Sequence, residues 1–139
     1  MTSGFMDAAT CRANHQRFIK RIIESELVWS LSASGSFAIA ESNDDDSPSD
    51  VLLFWSDEAY ARRAKKESFP EYEETTISLF DFLYRWLPGM TGDGVLAGTN
   101  WTGDLVGFEY DPFELRSEIE NELTREQTAR FEETYEKLK

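Results

Sequence analysis

The chain has 139 residues, 40% of them hydrophobic and 14% aromatic, with 27 acidic side chains against 14 Lys and Arg for a net charge of −13. That length and apolar content suit one folded domain needing neither disulfide nor metal, and they exclude a disordered chain. The acidity argues against nucleic acid and anionic membrane faces, whose phosphates call for Lys and Arg; it is compatible with a basic protein partner or with solubility alone. Cys11 is the single cysteine, so no internal disulfide is possible. Met1 to Asp7 has neither the basic nor the apolar stretch of a secretory signal, and the longest apolar run, Val51 to Trp55, is far short of a membrane span. The expected location is cytoplasmic, where the glycosylation-like triplet Asn100-Trp101-Thr102 carries no weight.

In chain order, Asp7 to Leu27 is predicted to be a helix, with Phe18, Ile19, Ile22, Ile23 and Leu27 on one face. Val28 to Leu31 and Phe37 to Glu41 read as strands joined by a Ser34-Gly35-Ser36 turn. Glu41 to Asp50 is an acidic loop with no apolar anchor, the segment expected to be most mobile. Val51 to Trp55 has strand length and continuous apolar character, predicting a central strand covered on both faces. Ser56 or Asp57 caps a second helix to about Glu67, ended by Phe69-Pro70. Glu71 to Ile77 reads as extended or irregular. Ser78 caps a third helix with the stripe Leu79, Phe82, Leu83, Trp86 and Leu87, which Pro88-Gly89 should stop. A glycine-rich turn, Met90 to Gly94, then leads into strands Val95–Asn100 and Leu105–Tyr110, joined as a hairpin through Trp101 to Asp104. Asp111-Pro112 opens a fourth helix, with Glu114 placed for a capping box, and Thr124 to Gln127 opens a last one with the thin stripe Phe131, Tyr135, Leu138. The order predicts a single α+β domain over residues 1–139. It has a mostly antiparallel sheet of about five strands packed against helices, and an extra C-terminal helical extension from about residue 111.

The chemical motifs are sparse. His15 stands four residues after Cys11, on one helical face, but no further Cys or His completes a zinc site and no third group is identifiable to orient a thiolate pair. His15 aligns with Ile19 and Ile22, at the edge of the buried stripe. Gly92-Asp93-Gly94-Val95-Leu96-Ala97 formally matches a dinucleotide fingerprint, yet a helix precedes it and a strand follows, the reverse of what that site needs. The Asp44-Asp45-Asp46 triplet fails the calcium-loop pattern, with Ser49 and Trp55 where Gly and Glu belong. No pair among the carboxylates is marked for acid–base work. No catalytic residue, metal site or cofactor is therefore indicated. Arg62-Arg63-Ala64-Lys65-Lys66 is the one basic cluster: a solvated face, or a positive spot that could take an acidic peptide or a phosphate, or give self-association. Trp55 and Trp101 lie at element ends, where exposed tryptophans near Tyr and Arg can build an interaction hot spot, although packing on the core is the commoner fate.

Phe54-Trp55-Ser56-Asp57, Tyr60-Ala61, Ile77, Leu79, Phe82-Leu83, Trp86-Leu87-Pro88, Asp93-Gly94, Gly98, Asn100-Trp101, Gly107 and Glu109 resemble, in order and spacing, the bacterial DUF2750 family, over about Arg17 to Leu115. The resemblance implies a small bacterial cytoplasmic protein and brings no activity with it, since the family is uncharacterised. The helix after Thr124 looks like an addition to the family pattern. More distantly, the element order is similar to SseB-like secretion accessory proteins, and small acidic immunity proteins are a looser analogue; both likenesses concern fold.

Two functions fit. One is a non-enzymatic protein-binding module of adaptor, immunity or accessory type, centred on Trp55, Tyr60 and Trp101 with Arg62 and Arg63 steering the partner, and with a C-terminal helix that could pack on a partner or on a second copy to form a homodimer. The other is an enzyme or small-ligand protein with a pocket near Trp55, Asp57, Asn100 and Trp101. The first is preferred. It requires the two indoles to converge on one face within reach of water.

Overall fold

A computed structural model describes residues 8–42 and 49–138. Most of the acidic loop, including Asp44 to Asp46, and the first seven residues lie outside the described residues. Helix α1 (Ala8–Ser25) buries Phe18, Ile19 and Ile22, with Cys11 and His15 continuing the same stripe. Glu26, at φ +57°, turns the chain into β1 (Leu27–Ala33). Ser34 and Gly35 form a two-residue turn with both φ values positive, the handedness that matches strand twist, and lead to β2 (Ser36–Phe37) and β3 (Ile39–Glu41). There follow β4 (Asp50–Phe54), α2 (Glu58–Ser68), β5 (Glu73–Ser78), a helix α3 over 79–93, β6 (Leu96–Thr99), β7 (Glu109–Tyr110), α4 (Pro112–Glu122) and α5 (Arg125–Lys137).

The α+β class holds, with mostly antiparallel pairing, but the strands form two sheets. One has the order β2-β1-β5, the other β3-β4-β6-β7, and β4–β6 is the parallel pair. They meet at a corner. Ala38, between β2 and β3, donates its N–H to the Leu31 carbonyl at 2.9 Å and accepts from the Leu53 N–H at 3.1 Å. Trp29 and Trp55 exchange both backbone bonds at 2.8 Å. The corner divides the interior. Leu52 and Phe54 of β4 pack with the larger core of Phe18, Ile22, Leu83 and Leu115. Val51, Leu53 and Trp55 pack with Leu31, Ala61, Ala64 and Trp101 beneath α2. The run Val51 to Trp55 is thus covered on both faces, as its continuous apolar character predicts.

Several expectations need narrowing or correction. Of the two readings of Glu71 to Ile77, extended or irregular, the extended one holds over Glu73–Ser78, although Ile77 alone of these residues is buried. Strand β5 is an edge strand, held by a six-residue register with β1 from Leu27↔Ser78 to Ser32↔Glu73. Pro88-Gly89 does not end α3. The turn Phe82–Trp86 is π-helical, with the Leu87 N–H reaching the Phe82 carbonyl, and this widened turn admits Pro88 without the clash it makes in a regular helix. The helix runs on to Asp93, so Met90 to Gly94 is not a free turn. Gly94, at φ +71°, closes it: the Val95 N–H bonds to the Met90 carbonyl at 3.0 Å and the Gly94 N–H to the Thr91 carbonyl at 3.3 Å. The hairpin Ala97↔Tyr110, Gly98↔Glu109 is present, but Leu105 to Phe108 are loop, and the second strand is two residues long. Asp57 occupies the N-cap position of α2 without a side-chain cap bond.

The C-terminal helix is fastened by polar groups as much as by apolar ones. Thr124 and Gln127 form a reciprocal capping box. The Gln127 amide donates to the Ile23 carbonyl at 3.0 Å and to Glu26 at 3.1 Å, and Arg130 grips Glu26 with two bonds of 2.8 and 2.7 Å. The Arg130 guanidinium holds the Glu26 carboxyl down at about 2, helped by Gln127. A depressed folded value means that the unfolded chain binds the proton more readily. The stabilisation is present above an ordinary carboxylate pKa and is lost as pH falls toward 2. Arg130→Ala is therefore expected to destabilise by about 1 kcal/mol at neutral pH, since the pair is partly exposed. The gap from the unmodified chain, measured by urea denaturation across pH, should close between about pH 4.5 and 2; a constant gap would show that Arg130 acts by packing alone. No helix among the described residues is long and apolar enough to cross a membrane.

Candidate functional site

The parallel strands β4 and β6 end together at Phe54↔Thr99, and the next residues diverge, Trp55 toward α2 and Asn100 into the 100–108 loop. The opening outside the carboxyl ends of parallel strands is where open sheets place their ligands. Asn100 stitches this point together. Its N–H donates to the Phe54 carbonyl at 2.9 Å, and its side-chain oxygen accepts from the Ser56 N–H at 2.8 Å. Its amide nitrogen donates to the Ser56 hydroxyl at 3.0 Å and to the Asn14 carbonyl at 3.1 Å. Its φ of +50° is a conformation asparagine tolerates better than most residues. Asn100 is a keystone between α1, β4 and β6, and its polar atoms are occupied by the fold.

The two tryptophans do converge, but inside. Trp55 is 0% and Trp101 3% exposed, so the expected water-accessible aromatic surface does not exist. The Trp55 indole N–H donates to the Trp101 carbonyl at 2.9 Å, and that of Trp101 to the Phe108 carbonyl at 2.7 Å. The loop 102–108 wraps the Trp101 ring, which is why Leu105 to Phe108 leave the sheet. A Cβ on Gly98 would stand 2.7 Å from the indole nitrogen, and one on Gly107 would overlap the ring.

Above the buried pair lies a cleft of about 330 Å³ lined by Thr10 and Asn14 of α1, Tyr60 and Arg63 of α2, and Asn100 to Gly103. Four of the expected binding residues, Tyr60, Arg63, Asn100 and Trp101, meet here. Trp55 is sealed beneath. Asp57 is at the side, accepting from the Ser56 hydroxyl and facing Arg17 and Arg21 at 3.4 Å each. Arg17 lies over the Tyr60 ring, 5.4 Å from its centre. Arg62 points away to Glu58 and Glu74, both at 3.1 Å. Thr10 and Asn14 were not anticipated; they lie one helical turn apart on the polar side of α1, and only the packing of α1 over β6 brings them to the cleft.

The bases are concentrated on the two helices that flank the cleft. Helices α1 and α2 carry four bases each, eight of the fourteen in the chain, and only three of its 27 acids, Glu24, Glu58 and Glu67. Arg63 and Lys66 make no ion pair, hydrogen bond or ring contact among the described residues, and both line a second recess with Ala59, Arg62 and Glu67. The cleft and this recess share Arg63.

His15 lies under α1 and outside the cleft lining. One ring nitrogen bonds the Thr99 hydroxyl and the other Glu118, each at 2.8 Å, and the ring stacks on Tyr110 at 4.0 Å. Burial pushes the Tyr110 hydroxyl up to about 12, with Glu118 and Cys11 acting in the same direction. The set resembles a hydroxyl–imidazole–carboxylate relay. However, Thr99 is 2% and His15 5% exposed, so no substrate reaches the hydroxyl, and the arrangement locks α1 and α4 to β6. Both imidazole nitrogens are engaged, one by Thr99 and the other by Glu118. Thr99→Val should cost about 1–3 kcal/mol by leaving a buried ring nitrogen unpaired, seen as a lower thermal midpoint; an unchanged midpoint would show the bond to be without weight.

Comparison with known proteins finds one family, described as a protein of unknown function (DUF2750), matching residues 15–119. No curated protein and no solved structure matches the chain. The match covers the corner of the sheets, Asn100 with its bonds to Phe54 and Ser56, both glycines against Trp101, and α2 with its four bases; Thr10 and Asn14 of the cleft lie before it. The chain belongs to the DUF2750 family.

Proposed function

We propose that the chain is a non-enzymatic protein-binding module whose working surface is the cleft between α1, α2 and the 100–103 segment, and that it takes an acidic segment of a partner protein there. The observation that carries this reading is Arg63. It is a guanidinium with no partner among the described residues, at the rim of the cleft and on one of the two helices that carry eight of the fourteen bases in a chain of net charge −13. An unpaired arginine beside a half-buried tyrosine is the pairing that recurs at energetic centres of interfaces. The rest of the molecule is strongly acidic, which orients an acidic partner toward these two helices and repels it elsewhere. The polar side chain at the base of the cleft, Asn100, holds the fold together and is not free to act on a substrate.

The test is capture from the native host with the unmodified chain and with Arg63→Glu, both checked for identical melting. A protein retained by the first and lost by the second supports the reading; a partner retained equally by both contradicts it. A second reading rests on the cleft volume, which at about 330 Å³ falls in the range of small-molecule sites. Native mass spectrometry that finds a small anion bound, with no protein captured, would favour it.

A further inference from the structure

A second surface, on the opposite chemistry, is built by α5. The inner side of that helix is accounted for: Gln127 and Phe131 are buried, and Arg130 clamps Glu26. The outer side carries Tyr135 and Leu138, 45% and 56% exposed, which the fold itself does not need covered. Tyr135 forms a ridge between two grooves. One, of about 320 Å³, is lined by Phe80, Tyr84, Arg85, Tyr135 and Leu138. The other, of about 220 Å³, has Tyr84, Leu123, Phe131 and Tyr135 for its floor and Glu120, Glu132 and Glu136 at its rim. The two grooves thus share an aromatic wall and carry rims of opposite sign.

We infer that this face pairs with the same face of a second copy about a two-fold axis near Tyr135. A two-fold through a ridge carries the groove on one side onto the groove on the other. Arg85 of each copy would then sit over the acidic rim of its partner, and the Tyr135 and Leu138 side chains of each would fill the facing grooves. A patch of this kind is complementary to itself, as an isologous interface requires. A basic peptide would satisfy the acidic groove but would leave Arg85 facing like charge, and an acidic one would do the reverse; a second copy satisfies both. In the monomer Arg85 has a long, exposed contact of 3.4 Å with Asp81, which costs little to exchange. The face joins Phe80, Tyr84 and Arg85 to α5 and shares no residue with the cleft lining, so the inference is independent of the cleft reading.

The experiment is light scattering after size-exclusion chromatography of the full chain at rising concentration, with sedimentation equilibrium as a check. The unmodified chain should approach twice its 16.0 kDa mass. Tyr135→Glu should remain at monomer mass and folded, with a melting midpoint lowered only by the loss of its ring contact with Tyr84. Arg85→Glu should likewise be monomeric, and Arg85→Glu combined with Glu132→Arg and Glu136→Arg should restore the dimer. A chain monomeric at every concentration overturns the inference, as does a dimer that survives Tyr135→Glu or charge reversal without rescue.

Discussion

Trp101→Ala is expected to destabilise the protein by about 3–5 kcal/mol, the range for removing a buried large aromatic side chain. Domains of this size unfold at roughly 5–15 kcal/mol, so the variant would be close to unfolded at 37 °C. Three losses add. The cavity left between Gly98 and Gly107 cannot collapse without moving both backbones, which approach the ring too closely for any Cβ. The Phe108 carbonyl loses its indole donor, and the 102–108 loop loses the ring around which it closes. The carbonyl of residue 101 must still meet the Trp55 indole, and its position depends on that loop. Trp101→Phe keeps most of the packing and should cost about 1–3 kcal/mol for the orphaned carbonyl. A Trp101 acting as an exposed contact would behave in the opposite way. Its removal would leave stability within about 0.5 kcal/mol, as surface substitutions do, and abolish binding. Chemical denaturation of the two variants separates these outcomes directly.

The second large effect is expected from Arg63→Glu. The substitution leaves no broken ion pair behind, because Arg63 has no partner among the described residues, and α2 keeps its packing through Ala61 and Ala64. Stability should therefore stay within about 0.5 kcal/mol. Affinity for an acidic partner should fall on the order of 100-fold, since reversal removes an attraction and adds a repulsion at a partly enclosed site. Lys66→Glu, further out on the same strip, should cost less and act mainly on the association rate. Raising salt from low to physiological ionic strength should weaken binding by the unmodified chain more than by Lys66→Glu, as exposed charges are screened. Equal salt dependence would remove Lys66 from the contact.

The parts of the fold legible in the sequence are those set by local chemistry. The stripe Phe18, Ile19, Ile22 specifies α1, and Thr124 with Gln127 specifies the start of α5. The run Val51 to Trp55 specifies a strand covered on both faces. The errors arise where a neighbour overrides local preference. Pro88 is a helix stop unless a π-turn precedes it, and that turn is stabilised by Phe82 and Trp86 packing on Phe54. Strand β5, left open between extended and irregular, has one buried residue and is extended because β1 pairs along its whole length. Leu105 to Phe108 read as part of a strand yet are drawn off to enclose Trp101.

The site was legible in its residues and not in their roles. Tyr60, Arg63, Asn100 and Trp101 do meet, because α2 and the 100–108 loop leave adjacent parallel strands at the same end. That Trp101 faces inward and Asn100 is spent on backbone bonds depends on Gly98 and Gly107 clearing space for a ring. Sequence shows those glycines, but not what fills the room they leave. The concentration of bases on α1 and α2 was visible in the letters; that the two helices flank one cleft was not.

Binding at the cleft is tested most directly by titrating the ¹⁵N-labelled full chain with a short Glu- and Tyr-containing peptide and following its amide and side-chain resonances. The expected result is saturable shifts confined to Thr10, Asn14, Tyr60, Arg63 and 101–103, including the Arg63 Nε–H, all absent in Arg63→Glu. Shifts scattered over the surface, or centred on another face and unchanged in Arg63→Glu, would contradict the account.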